Sequence, residues 1–335
     1  MKHADVQALI QGNPRLLPEA QLVETHISWV LLTDKNVYKI KKPVDYTFLN
    51  FSTLEKRKFY CDRELFLNRR LTDGVYLDVV PILREDYTGV LSLGGEEGTV
   101  IDYAVKMKRL DSDRQMDLML ENDLVTMAHM EQLAEQLTDF HMSTEVVTAH
   151  PNIHSMHQDF ADFLRVAPFI EKHWGADAAL LLHKGEEHSK QVLKSLQDRI
   201  YERHLEGFTV DGHGDLHAKN IFLLEKPVIF DCIEFNDHLR KLDVLNELAF
   251  LCMDLDAKGQ TDLSDGLLEA YNQRYICVNN GPDEKLFEYY KLYRANVRLK
   301  INVFKAMQLS EGPELDRQLV MVRTFLDLFG SYLNE

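Results

Sequence analysis

A change of hydrophobic period near Leu124 divides this sequence into two kinds of chain. Before it, residues 21–44 read as three strands, LVETHIS, WVLLT and NVYKIKKPV, with a tight polar turn at Asp34-Lys35-Asn36. Residues 52–71 carry apolar side chains at helical spacing, with Ser52 and Glu55 as an expected capping box. Strand patterns return in VYLDVVPILRE and GTVIDYAVKMKRL, on either side of a turn at Gly94-Gly95. After Leu124 the pattern is amphipathic helix, in residues 125–144, 160–174 and 178–204 and again in the last third. Only residues 208–235 interrupt it, as a loop, a short apolar strand, a turn at Glu225-Lys226-Pro227 and a second apolar strand. The expected fold is therefore α+β, with a small antiparallel sheet and one helix followed by a larger, mainly helical part.

A length of 335 residues also favours two parts over one core. The net charge of −16, from 38 basic and 54 acidic residues, opposes binding to nucleic acid or to an anionic membrane surface. Cys61, Cys232, Cys252 and Cys277 form no CxxC pair, so neither a disulfide framework nor a zinc ribbon is implied, and a reducing cytoplasm fits. The first twenty residues lack an apolar signal core, and no uninterrupted apolar run approaches the roughly 18 residues of a membrane span.

The chemistry concentrates in His213-Gly214-Asp215-Leu216-His217-Ala218-Lys219-Asn220, just before the first of the two late strands. Four residues separate a carboxylate, Asp215, from a carboxamide, Asn220. Eleven residues beyond Asn220, the strand Val228-Ile229-Phe230 ends in Asp231, which a hairpin would return alongside the first loop. Phosphoryl transfer needs a carboxylate to accept the proton of an attacking hydroxyl, and hard oxygen donors for Mg²⁺. Asp215 fits the first role, and Asn220 and Asp231 fit the second. His213 and His217 complete the catalytic loop as hydrogen-bonding residues that hold it, with His213 expected behind Asp215. Read instead as metal ligands flanking Asp215, the two histidines would make an incomplete hydrolase site.

HGDLHAKN and IFD resemble the catalytic loop and metal strand of the aminoglycoside phosphotransferase and choline kinase-like superfamily. THISWVLLTDKNVYKIKKPV and FDCIEFNDHLRKLDVLNELAFLCMDLD extend the likeness, notably to a bacterial branch of that superfamily, over nearly the whole chain. The resemblance implies a two-lobed, protein-kinase-like fold, with a nucleotide-binding lobe over residues 1–107 and a helical catalytic and substrate lobe over 108–335. It implies ATP and Mg²⁺ as cofactors and a small-molecule hydroxyl as acceptor. It also implies Lys39 as the lysine that contacts the nucleotide phosphates, with Lys41 on the same strand face as the register alternative, and Glu64 on the following helix as its partner. The strand leaving the small lobe would read adenine through its backbone around Met107 and Arg109, and Asp243 would brace the catalytic loop. The tip Thr25-His26-Ile27-Ser28 departs from protein kinases in lacking glycine, so the hydroxyls of Thr25 and Ser28 or nearby amides would have to cover the phosphates.

Other features have plainer expectations. His141, His150, His154 and His157 read as a solvated, histidine-rich span, and Phe250-Leu251-Met253-Leu255 as the core stripe of a helix. Glu234 and Arg240 are open between substrate contact and a loop salt bridge. The expected activity is transfer of a γ-phosphoryl group to a small molecule in the cytoplasm; the alternative is a nucleotide-binding regulatory protein of kinase shape without turnover.

Overall fold

The computed structural model describes residues 1–13, 17, 20–46 and 49–334. The segment before Gln21, which its sequence marks as a short helical or irregular leader, lies partly outside them. In chain order the elements are α1 (His3–Gly12), β1 (Gln21–Glu24), β2 (Ser28–Leu32), β3 (Asn36–Lys41), the short pair β4 (Asp45–Tyr46) and β5 (Leu49–Asn50), α2 (Leu54–Asn68), β6 (Tyr76–Arg84), β7 (Leu91–Leu93), β8 (Thr99–Lys108) and α3 (Met116–Glu121). There follow α4 (Met127–Ser143), α5 (Ile153–Ala161), α6 (Ala167–Trp174), α7 (Ala176–Ser195), α8 (Gln197–Leu205), β9 (Thr209–Asp211), β10 (Ile221–Phe222), β11 (Val228–Ile229), α9 (Asp237–Arg240), β12 (Lys241–Asp243), α10 (Val244–Asp256), α11 (Thr261–Arg274), α12 (Gly281–Ala306) and α13 (Pro313–Tyr332). The fold class is α+β, as the sequence pattern implies.

Two compact units divide the chain, Met1–Met119 with Lys219–Arg240, and Leu120–Ala218 with Lys241–Glu335. In the first, an antiparallel sheet runs β1-β2-β3-β8-β6-β7. Strand alternation sorts the residues of β3 onto two faces. Tyr38 and Ile40 join Trp29, Leu31, Val6 and Leu9 in one apolar cluster, whereas Val37 packs with a second one built on Cys61, Val105, Met107 and Tyr76. Lys39 and Lys41 follow Val37 onto the face that carries α2. The buried positions of α2 include Arg57, Cys61, Glu64 and Asn68, a single helical stripe, while Phe59 and Phe66 point to solvent. Thr53, not Ser52, caps this helix: its hydroxyl accepts the Lys56 N–H at 3.3 Å, and Ser52 instead donates to Asn50 at 2.6 Å.

The hairpin β10–β11 belongs to this first unit, with Ile221 opposite Ile229 and Phe222 opposite Val228. Its base is tied down by Phe230, whose N–H donates to the Asn220 carbonyl at 3.0 Å.

The second unit is helical around α10, along which nearly every residue is buried, including Glu247 and Asp254. A helix apolar on most of its faces becomes a central element, and α10 packs against both α11 and α12. The stripe Phe250-Leu251-Met253-Leu255 is core, as expected. The two carboxylates buried with it need partners. The short ribbon of β9 and β12 sets Asp211 opposite Lys241 and Thr209 opposite Asp243, which fixes the start of the 212–218 loop beside the first turn of α10.

Candidate active site

In the first unit, Lys39 Nζ lies 2.9 Å from Glu64 Oε1 and 2.6 Å from Asp231 Oδ1. Lys41 Nζ reaches the other oxygen of Glu64 at 2.6 Å and also pairs with Glu234. The two lysines that are register alternatives in sequence thus share one glutamate, which stands between them. Burial works against the charged form of each lysine, but the carboxylates outweigh it and hold both ammonium groups above the ordinary lysine range: Asp231, Glu64 and Glu234 act on Lys39, and Glu234 and Glu64 on Lys41. Burial likewise opposes ionisation of Glu64, yet Lys39 and Lys41 hold its carboxyl below the usual range, while burial and the charge of Glu64 push Glu234 upward.

Asp231 closes the hairpin with φ of +64°, a left-handed conformation uncommon outside glycine but tolerated by Asp and Asn. Its N–H donates to the Tyr76 hydroxyl at 3.2 Å, and the next N–H, of Cys232, donates to Asn68 Oδ1 at 2.9 Å. The carboxylate is 41% exposed and so reachable from solvent. Asn220 and Asp231 both stand at the open end of the same hairpin.

In the second unit, the loop carrying Asp215 is clamped from beneath by α10. Glu247 Oε1 accepts the N–H groups of His213 and Gly214, both at 2.7 Å, and Asp254 accepts that of Ala218 at 3.0 Å. Between these two carboxylates, which are seven residues and two turns apart, the Phe250 ring meets the edge of His217. From α12, Arg294 donates to the Gly214 carbonyl at 3.3 Å. Gly212 is required by close approach, because a Cβ there would fall 2.3 Å from Glu247 Oε2, and Gly214 by its φ of +87°. His213 is fully buried and accepts the Asp215 N–H on Nδ1 at 3.2 Å. His217 Nε2 lies 3.4 Å from Asp215 Oδ2. Burial opposes ionisation of Asp215, but His217, His213 and Arg298 outweigh it and hold its carboxyl well below the usual range.

Several residues have other surroundings than their sequence context implies. His141 is not solvated: it is buried in α4, with Nε2 donating to Glu247 at 2.8 Å and Nδ1 on the Tyr271 hydroxyl at 2.8 Å. His154 and His157 are helical residues of α5, and His157 pairs with Glu186 at 2.9 Å. Asp243 braces Arg203 through two hydrogen bonds of 2.8 Å and caps α10; the loop is braced by Glu247, one turn further on. Met107 lies in the apolar cluster beneath α2. Arg109 is exposed, with its guanidinium on the Thr33 carbonyl at 2.9 Å, and the N–H groups of Lys108 and Arg109 donate to Val75 and Lys35. Both donors therefore serve the sheet. Thr25 and Ser28 close their own turn, Thr25 Oγ1 accepting the Ser28 N–H at 2.9 Å, while the Ser28 hydroxyl is buried without a hydrogen-bond partner among the described residues. Arg240 donates to the Ile233 carbonyl and pairs with Asp237, while Glu234 pairs with Lys41, so both are loop ties.

The structure of the chain is similar to that of aminoglycoside 2'-phosphotransferase-IIIa in its GDP complex, with a TM-score of 0.53 at 10% identity over 97% of this chain and 98% of the other. It is also similar to a thermostable mutant of aminoglycoside phosphotransferase APH(4)-Ia, with a TM-score of 0.52 at 10% identity and 94% coverage of both chains. The chain thus has the fold seen in these aminoglycoside phosphotransferases. At such identity the likeness concerns the fold alone. In sequence, the chain is 30% identical over 304 residues to uncharacterised proteins of Mycobacterium tuberculosis and Mycobacterium bovis. The match takes in 87% of this chain but only 56% of theirs, so the chain spans little more than half the length of these relatives. No protein-family model matches it. Among the described residues, no helix is long and apolar enough to cross a membrane.

Proposed function

We propose that this protein is a small-molecule kinase that transfers the γ-phosphoryl group of ATP to a hydroxyl of its acceptor. The observation that carries the reading is the arrangement of Lys39 between Glu64 and Asp231, a lysine held at the end of a hairpin where an anionic ligand can reach it. The fold shared with aminoglycoside phosphotransferases, one of them solved with GDP, supports a nucleotide as the donor. Of the two lysines, Lys39 suits the phosphates, since its side chain is 13% exposed against 1% for Lys41.

Asp231 and Asn220 offer a carboxylate and an amide oxygen, which are the hard donors that Mg²⁺ prefers. Among the described residues no group of three or more His, Cys, Asp or Glu side chains makes a ready cage, and one carboxylate with one amide suits an ion that arrives with phosphate oxygens and water. Bound there, magnesium would neutralise charge on the β- and γ-phosphates. Lys39 would exchange Asp231 for a phosphate oxygen while keeping Glu64. Asp215, ionised by its neighbours, would orient the acceptor hydroxyl and take its proton as the acceptor oxygen bonds to the γ-phosphorus. The bond to the bridging oxygen breaks, and its electron pair leaves with ADP. Positioning and charge stabilisation would supply most of the rate. The adenine would be read by main-chain groups at the end of β8 other than the N–H groups of Lys108 and Arg109.

A second reading, a nucleotide-binding regulatory protein without turnover, is favoured by the hairpin tip, where Thr25 and Ser28 bond each other. Calorimetry with ATP and Mg²⁺, then ³¹P detection of products across a panel of hydroxylated metabolites, separates the two. Product formation that persists undiminished in Asp215→Asn would overturn Asp215 as the base, and binding without product for any acceptor would overturn the kinase assignment and favour the second reading.

A further inference from the structure

Lys41 and Glu234 are the members of the first unit's charged cluster that the reaction proposed above does not use. They are also its most deeply buried lysine–carboxylate contact outside Glu64, with side-chain exposures of 1% and 4%. Three carboxylates meet two ammonium groups here: Asp231 and Glu64 at Lys39, Glu64 and Glu234 at Lys41. Asp231 and Glu234 belong to one loop, three residues apart, and the two lysines are alternate residues of β3. The loop is therefore fastened to the strand at two points, with Glu64 of α2 shared between them.

The two fastenings differ in what they can release. Lys39 is the more exposed, and its partner Asp231 is 41% exposed, so a phosphate can compete for it. Were Lys39 the sole partner of Glu64, its departure would leave a buried carboxylate uncompensated, which is strongly unfavourable. Lys41 removes that penalty, because it keeps a 2.6 Å contact to Glu64 whatever Lys39 does. The loop would likewise stay anchored through Glu234, and through Asn68, which accepts the Cys232 N–H and whose own amide donates to the Glu64 carbonyl at 2.8 Å.

We propose that Lys41 and Glu234 are a positioning pair that holds Glu64 and the Asp231 loop in place while Lys39 exchanges Asp231 for an anionic ligand. The functional half of this statement rests on the reading of Lys39 as the phosphate contact; the anchoring half does not. Hydrogen exchange of the full-length, ligand-free protein, followed by mass spectrometry over residues 231–235, tests the anchoring. Lys39→Met should leave exchange there within about twofold of wild type, whereas Lys41→Met should accelerate it by about tenfold or more and Lys41→Arg should restore protection. Glu234→Ala leaves Lys41 paired with Glu64, so it folds more readily than Lys41→Met, and it should accelerate exchange by a similar factor. Calorimetry with ATP and Mg²⁺ tests the function: Glu234→Ala should weaken binding about tenfold, a change that a purely structural pair would not produce in folded protein. Unaltered exchange in Glu234→Ala would overturn the pair whatever the calorimetry gives. Failure of wild type to bind nucleotide would overturn the kinase reading and leave the exchange data to decide the anchoring.

Discussion

Glu247 accepts the N–H groups of both His213 and Gly214 on a single carboxylate oxygen, at 2.7 Å each. Its other oxygen takes the His141 ring at 2.8 Å. One buried side chain thus satisfies two consecutive main-chain donors that no strand or helix could satisfy, and so fixes the backbone immediately before Asp215. Truncation would remove the acceptor of both main-chain donors and of His141 Nε2 together. Glu247→Ala is expected to cost about 3–5 kcal/mol of stability, read from the shift in urea midpoint, and Glu247→Gln less, since one acceptor oxygen remains.

The same carboxylate sets an acid limit. Burial alone would raise the Glu247 pKa, but His141, His213 and the Gly214 N–H bring it down to about 2 from an ordinary value of 4.5. Because the folded-state pKa is depressed, the contribution is complete above about 4.5 and is lost as the pH falls towards 2. The stability difference between wild type and Glu247→Gln should shrink by about 2 kcal/mol between about pH 5 and about pH 3. A difference that stays constant over that range would mean that folding does not depress the Glu247 pKa.

The candidate catalytic loop is legible in the sequence and its support is not, for a physical reason. Asp215, Asn220 and Asp231 lie in loops flanked by short apolar strands, where polar residues at fixed spacing have no packing role and so stand out. Glu247 and Asp254 sit inside a helix whose remaining pattern reads as core, and their partners are backbone donors more than thirty residues away in sequence. Periodicity marks such a helix as buried without saying what its carboxylates bind. A buried Glu in an otherwise apolar helix is the available signal, since burial of that charge demands a partner. Strand alternation does place Lys39 and Lys41 on one face, but alternation alone gives no way to see that one glutamate serves both. His141 reads as solvated because the span it opens is polar, while its own helix, α4, buries it.

Asp231 separates chemistry from backbone conformation. At its φ of +64° Asn is tolerated about as well as Asp, whereas Ala meets the left-handed penalty of about 1–2 kcal/mol. Asp231→Asn should therefore keep the stability of wild type to within about 1 kcal/mol, and Asp231→Ala should lose about 1–2 kcal/mol. Both should lower phosphotransfer by about a hundredfold or more if the carboxylate is what receives the metal. Thermal unfolding beside product formation measures the two effects. Equal stability losses in both variants would show that the left-handed backbone is not what the Asp supports.

His217 tunes the group that would take the proton. Burial pushes the Asp215 carboxyl up, and the charge and hydrogen bond of His217, with His213 and Arg298 behind it, pull it down further than burial raises it. The folded-state pKa being depressed, Asp215 stays ionised through the neutral and mildly acidic range, and its protonation should not appear as an acid limb there. His217→Gln retains a polar side chain but removes the ring that contributes most to the lowering. The Asp215 pKa should then move back towards the carboxylate range, and the acid limb of kcat/KM should shift to higher pH. An unchanged near-ultraviolet spectrum would exclude repacking of the loop as the cause, and an acid limb that stays where it is in wild type would show that His217 does not set the charge of Asp215.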